Sequence, residues 1–194
     1  MTDHQDLSDA ELFAASVATP RLFGAVFDRH APEILRYLTR RVGPQDAEDL
    51  LSQTFLVALE KRASFDQGAE SARPWLYGIA SNVLLRRQRD EVRFLRALAR
   101  VSGEPDEASF EEAAAQRVDA RSESAALATG LASLSPEDRN VLLLVVWAGL
   151  SHQQISRALG IPVGTVKSRA HRARQQLRRH LEPSTRLERT PRHG

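Results

Sequence analysis

Apolar residues recur every three or four positions through most of the chain and strict alternation is scarce, so the pattern predicts helices. A first short helix runs from about Ser8 to Ala18, with Ser8 as N-cap and Glu11 three residues on. A second follows Pro20, a favourable first-turn residue, with Leu22, Phe23, Val26, Phe27, Ile34, Leu35 and Leu38 as its stripe. Pro32 should kink or interrupt it. Gly43-Pro44 ends that helix and opens a third, which carries Ala47, Leu50, Leu51, Phe55, Ala58 and Leu59 on one face. A loop from about Ala63 to Arg73 leads to Pro74 and a fourth helix. Trp75, Leu76, Ile79, Ala80, Val83 and Leu84 form its inner stripe, and its continuation from Arg86 to Arg100 is strongly basic.

From Ser102 to about Ser124 large apolar residues nearly vanish and Ala and Glu dominate. Such a segment buries too little to order itself, so it reads as a flexible or weakly helical linker. Past Leu127 the signals return. Ser135-Pro136-Glu137-Asp138 supplies an N-cap, a first-turn proline and acids near the positive end of a helix. The run Val141 to Trp147 fits a buried strand as well as a helix by periodicity alone; the cap before it and Gly149 after it favour the helix. Ser151 and Gln154 form a second capping-box pattern, with Ile155, Ala158 and Leu159 inward. Gly160 stands where a helix-turn-helix needs a residue that tolerates positive φ, and Ile161-Pro162-Val163 reopens a helix to about Leu181. The expected fold is all-α: two helical domains, 20–100 and 127–182, joined by a flexible acidic linker, 101–126. An acidic segment, 1–19, precedes them and a short tail, 183–194, follows.

Composition narrows the chemistry. The 194 residues contain no cysteine, which excludes disulfides, Cys-ligated zinc and thiol catalysis. No apolar run nears the roughly 20 residues of a membrane span. The polar, acidic start Met1-Thr2-Asp3-His4-Gln5-Asp6 resembles no secretory or transit peptide, so a cytoplasmic protein without membrane attachment is expected. The net charge of +2 conceals a segregated pattern: −4 over residues 1–19, +4 over 20–100, −5 over 101–134 and +7 over 135–194. Basic blocks are the footprint of nucleic-acid binding, although Arg-rich helices can also simply solubilise a surface.

The last helix favours nucleic acid, with an Arg-rich surface helix or a basic amphipathic helix that binds an acidic partner as the alternatives. At about 100° per residue, Val166, Ala170, Ala173, Leu177 and Leu181 form a narrow apolar stripe. Lys167, Ser168, His171, Arg172, Arg174, Gln175, Arg178 and Arg179 occupy the remaining face. Such a helix fits a DNA major groove. Lys167, Ser168, His171 and Arg172 are the candidates for base edges; Arg169, Arg174 and Arg178 are those for phosphates, with Thr165 beside the helix N-terminus. None of the six histidines lies in a metal-ligand spacing, and no cofactor motif is present.

Four stretches carry a family resemblance: Asp46 to Phe55 (DAEDLLSQTF), Arg73 to Asn82 (RPWLYGIASN), Leu131 to Arg139 (LASLSPEDR) and Ile161 to Arg169 (IPVGTVKSR). In this order and separation they resemble the extracytoplasmic-function sigma factors of bacterial RNA polymerase, across roughly residues 20–182. The resemblance implies a region 2-like domain that binds the polymerase clamp and captures the melted minus-ten element. It also implies a region 4-like domain that docks in the duplex minus-thirty-five element and touches the polymerase flap. By resemblance, Asp46, Glu48, Asp49, Leu50 and Gln53 present the polymerase-facing surface. Acids in that helix's first turns also stabilise it on their own. The loop Ala63–Arg73 matches the base-reading loop in position, Asn82 matches a polar position near the separated strands, and Arg86, Arg87 and Arg89 can hold backbone phosphates. Trp75 fits the core better than a base platform; Tyr77 could be either. The chain departs from the family at Ser52, Gln53 and Leu59, and at Gly78 and Ser81, where basic residues are common. The acidic linker, by the same resemblance, threads the polymerase cleft.

These readings make the chain a promoter-specificity subunit with no catalytic residues, whose partners are core polymerase, promoter DNA and, as a candidate, an anti-sigma factor. A free-standing helix-turn-helix regulator acting without polymerase is the alternative. A nuclease would need clustered acids or histidines beside the basic helix, and the sequence has none there.

Overall fold

The computed structural model describes residues 7–102 and 123–181. Eight α-helices lie within them, and no strand. Helix α1 (Asp9–Ala18) opens with the expected capping box: the Ser8 hydroxyl accepts the Glu11 N–H at 3.3 Å, and the Ser8 N–H donates to Glu11 Oε2 at 2.7 Å. A 3-10 turn at Pro20–Leu22 leads into α2 (Phe23–Val42). Of the kink or interruption expected at Pro32, the interruption does not occur: Pro32 lies inside α2. An interior proline costs about 3 kcal/mol. Val26, Ile34 and Leu38, all fully buried, each contribute roughly 1.5–3 kcal/mol and hold the helix through it. Gly43, at φ +85°, ends α2 and donates its N–H to Thr39 O at 2.9 Å. Helix α3 (Pro44–Glu60) follows, then a 3-10 turn at Arg62–Ser64, a loop, and the long α4 (Arg73–Ser102).

The second bundle contains α5 (Glu123–Ala132), α6 (Pro136–Val146), α7 (His152–Leu159) and α8 (Val163–Leu181). The run Val141 to Val146 is helical, and Val141 to Leu144 are buried. The Ser135 hydroxyl caps α6 and the Ser151–Gln154 box caps α7, as their sequence signatures predict. Gly160 takes the left-handed conformation (φ +65°) between α7 and α8. The turn is locked by the Ser156 hydroxyl donating to Ile161 O at 2.6 Å.

Helix α1 belongs to the first bundle rather than to a separate acidic segment: Leu12 and Phe13 are fully buried in its core. Helix α4 reaches Ser102 and α5 starts at Glu123, so both extend into the stretch assigned to the linker. The remainder of that linker and the tail lie outside the described residues.

The two bundles pack against each other. One continuous core runs from Leu12 through Leu84 to Val141, Leu144, Ile155 and Ala170. Helix α4 crosses α7 at Gly78, where an added Cβ would stand 2.3 Å from the carbonyl oxygen of Ala158. Beside the crossing, the buried Tyr37 hydroxyl donates to Asn140 Oδ1 at 3.1 Å, and Arg41 reaches the same oxygen at 3.0 Å. Arg73 donates to Ala148 O at 3.3 Å.

Candidate nucleic-acid and polymerase interfaces

The basic face of α8 is built by burying its narrow apolar stripe. Val166, Ala170 and Ala173 are fully buried, which fixes the helix against its own bundle. Lys167, Ser168, His171, Arg174 and Arg178 are consequently exposed, and Thr165 and Arg169 are half-exposed. The Ser168 hydroxyl donates to Thr165 O at 3.0 Å and keeps its acceptor capacity outward. Arg172 differs from its neighbours. Its Nε and Nη2 donate to the two carboxylate oxygens of Asp138, at 3.1 and 2.9 Å. That bidentate pair braces α8 on the first turn of α6. Hydrogen bonding by Asp138 holds the Arg172 guanidinium pKa above its usual range. Arg172, expected to read bases, is exposed on this face and in this arrangement has its charge already matched by Asp138.

On the first bundle, α3 exposes Glu48, Asp49 and Gln53, with Asp46 half-exposed. Leu50 does not join them. It is fully buried, and its placement on a docking surface is a correction in favour of the helical pattern that puts it on the inner stripe. Asp46 accepts from Arg87 Nη2 at 2.5 Å, linking the start of α3 to the middle of α4. Along α4, Asn82, Arg86 and Arg89 are exposed and Arg87 is half-exposed. Arg93 pairs with Asp90 one turn further on.

The loop between α3 and α4 carries the surface expected to read unpaired bases. Phe65 is buried under it, stacked on Phe13 with ring centroids 4.2 Å apart. Trp75 meets both rings edge-on, at 5.2 and 5.5 Å, and is a core residue. Tyr77 is buried as well and meets Tyr37 edge-on at 5.2 Å, so neither aromatic is a base platform in this arrangement. Asp66, Gly68, Ala69, Glu70 and Ser71 line a cleft of about 440 Å³, whose opposite wall is Gln154, Arg157 and Ala158 of α7.

Sequence reasoning missed the network behind this loop. Asp9, on α1, is buried and accepts from Arg29 at 2.8 Å and from His30 Nε2 at 3.0 Å. His30 Nδ1 faces Glu33 Oε1 at 3.1 Å, and Arg73 donates to Glu33 Oε2 at 2.7 Å. Both imidazole nitrogens face carboxylates, which accept only, so both must donate and the ring is an imidazolium. Burial opposes that charge, but hydrogen bonds to Asp9 and Glu33 outweigh it and raise the His30 pKa. Burial likewise opposes the Asp9 carboxylate, and bonds from His30, the Ala72 N–H and Arg29 overcome it, lowering its pKa far below the usual range. The Asp9-to-His30 separation matches no helical spacing, so no periodicity could reveal it.

Among the described residues no group of His, Asp or Glu is arranged to hold a metal ion. None of their helices is long and apolar enough to cross a membrane.

Comparison with known proteins gives a consistent result. The sigma-70 region 2 family matches residues 26–102 and the sigma-70 region 4 family matches residues 124–177. The chain is 34% identical over 176 residues to the ECF RNA polymerase sigma factor SigL of Mycobacterium tuberculosis, covering 89% of this chain and 96% of SigL. It is 34% identical to the RNA polymerase sigma factor CarQ of Myxococcus xanthus, covering 82% of this chain and 88% of CarQ. Among solved structures, CnrH in complex with the cytosolic domain of CnrY is similar at TM-score 0.60 and 25% identity, over 92% of this chain and 97% of CnrH. The sigma factor RpoE from Bartonella quintana, bound to the anti-sigma factor NepR, shares the fold at TM-score 0.60 and 23% identity, over 83% of this chain and 97% of RpoE. With both regions in order along one polypeptide, the chain belongs to the sigma-70 family, within its ECF sigma factors of RNA polymerase.

Proposed function

We propose that this sigma factor carries core RNA polymerase to its promoters by dividing the work between two faces. The exposed acids Glu48 and Asp49, with Gln53, dock on the clamp, and the second bundle touches the flap. Lys167, Ser168 and His171 read the duplex minus-thirty-five element while Arg169, Arg174 and Arg178 hold its phosphates and Thr165 adds the helix N-terminus. Asn82, Arg86, Arg87 and Arg89 hold the melted minus-ten strand against the loop preceding α4. The chain supplies no bond-making chemistry; the polymerase does. The single observation that carries this reading is the basic, hydrogen-bonding face that α8 leaves exposed on a chain matching both sigma regions.

An anti-sigma partner is part of the proposal, because the similar sigma factor RpoE was solved with the anti-sigma factor NepR, and the similar CnrH with the cytosolic domain of CnrY. Elements twenty-five base pairs apart lie about 85 Å apart along B-form DNA. We infer that the α4–α7 contact opens when polymerase is engaged, so that each bundle reaches its own element.

The test is run-off transcription from a genomic promoter library with core polymerase, with and without this chain. New start sites only in its presence support the reading. Promoter protection by the chain alone, with no polymerase-dependent initiation, would replace it with the free-standing regulator.

A further inference from the structure

We propose that Asp9 is a positioning residue for promoter choice: from α1 it fixes the end of the loop that faces the melted minus-ten strand. This rests on the function proposed above. The Asp9 carboxylate divides its oxygens between two tasks. Oδ1 accepts from Arg29 at 2.8 Å and, with Oδ2, from His30 Nε2 at 3.0 Å. Those bonds anchor it to α2 and compensate its charge. Oδ2 also accepts the backbone N–H of Ala72 at 2.7 Å and the Ser71 hydroxyl at 3.4 Å. Ala72 is fully buried, so without Asp9 its N–H would be a buried donor lacking that acceptor.

The other end of the loop is also held by α1. Phe65 stacks on Phe13, and Arg62 Nε donates to Ser16 O at 3.1 Å. The lip of the cleft, residues 66–71, is therefore strung between two clamps on one short helix. Its middle is shaped locally, by the Gly68 and Ala69 N–H groups donating to the Asp66 side chain and carbonyl at 3.0 Å each. A recognition surface must be held to within about 0.5 Å to discriminate. The middle of the lip has only local hydrogen bonds and the packing of Ala69 on the core, so the two clamps set its ends, and the Ala72 clamp depends on one carboxylate.

The experiment measures a ratio, which does not depend on how much of a variant is folded. The full chain with core polymerase transcribes its preferred promoter and single-base variants of the minus-ten and minus-thirty-five elements. Asp9→Ala should lower discrimination at minus-ten about tenfold and leave minus-thirty-five discrimination unchanged. Asp9→Asn retains an acceptor for Ala72 while losing the ion pairs, so it should lose thermal stability yet keep the minus-ten ratio. Ser71→Ala, which leaves the ion pairs intact, gives a smaller fall and serves if Asp9→Ala does not fold. Unchanged minus-ten ratios in every folded variant, or equal falls at both elements, would overturn the inference. A wild-type chain that directs no initiation overturns the proposed function itself, and this inference with it.

Discussion

Gly78 on α4 lies directly against the carbonyl of Ala158 on α7, with no room for a Cβ between them. A backbone carbonyl cannot swing aside as a side-chain tip can, so any larger residue at position 78 pushes the bundles apart. The family's usual basic residue there would be incompatible with this contact. Gly78→Arg should therefore expand the free protein, read as a larger radius of gyration by X-ray scattering. Helix content by circular dichroism should hold, because replacing a mid-helix glycine favours α4 by up to about 1 kcal/mol. An unchanged radius would mean the bundles are already apart in solution.

Tyr37 and Asn140 should report the same contact energetically. They lie on different bundles and are both almost fully buried. A double-mutant cycle with Tyr37→Phe and Asn140→Ala should give a coupling of about 0.5–1.5 kcal/mol by denaturant unfolding. In a Gly78→Arg background the coupling should fall to about zero. Coupling that survives there would place its origin outside the interface.

The buried imidazolium predicts a pH dependence of definite sign. His30 has a folded pKa above its unfolded value of about 6.5. Its stabilisation is fully present below that pH and is lost as pH rises through the raised value. Asp9 has the opposite sense: its contribution is present above the ordinary carboxylate range and fades only in strong acid. The melting temperature should thus be highest on the mildly acidic side of neutrality and decline as pH rises past about 6.5. His30→Gln should lower the maximum and flatten the decline. A wild-type melting curve that is flat over this range would contradict the charged assignment.

Charge matching makes Arg172 and Arg178 distinguishable by salt. Each free cation that neutralises a phosphate adds about 0.9 to the slope of log K against log salt. Arg178 is exposed, and Arg178→Ala should reduce the slope for minus-thirty-five duplex binding by about that amount. Arg172→Ala should change it much less, since Asp138 already neutralises that charge. Titrations of polymerase-bound protein between about 50 and 200 mM salt give both slopes. Equal changes would mean that Arg172 leaves Asp138 when DNA binds.

What the sequence reveals follows the range of each interaction. Ser8 with Glu11, Ser151 with Gln154, and Gly160 are local devices, and each stands in the fold as its pattern predicts. The inner stripe of α8 is equally local, and it orients every exposed base on that helix. Asp9 with Ala72, Tyr37 with Asn140, Arg172 with Asp138 and Gly78 with Ala158 join distant segments whose meeting depends on how helices stack. No spacing rule encodes them. Gly78 and Ser81 did register as departures from the family, and their burial at or beside the bundle contact gives those small residues a physical reason.

Asp49 and Leu50 separate docking from folding at adjacent positions. Asp49 is exposed in the second turn of α3, while Leu50 is fully buried in the core. Charge reversal by Asp49→Lys alters a solvated side chain, so the melting temperature should move little; a surface substitution is usually worth within about 0.5 kcal/mol. On the proposed docking through α3, capture of core polymerase should nevertheless weaken, since an exposed charge there changes sign. Leu50→Ala removes buried volume and should cost about 2–5 kcal/mol of stability. At a temperature where that variant remains folded, its affinity for polymerase should match wild type. Undiminished capture by Asp49→Lys would move the docking surface away from α3. A Leu50→Ala protein that is fully stable yet fails to bind would restore Leu50 to that surface.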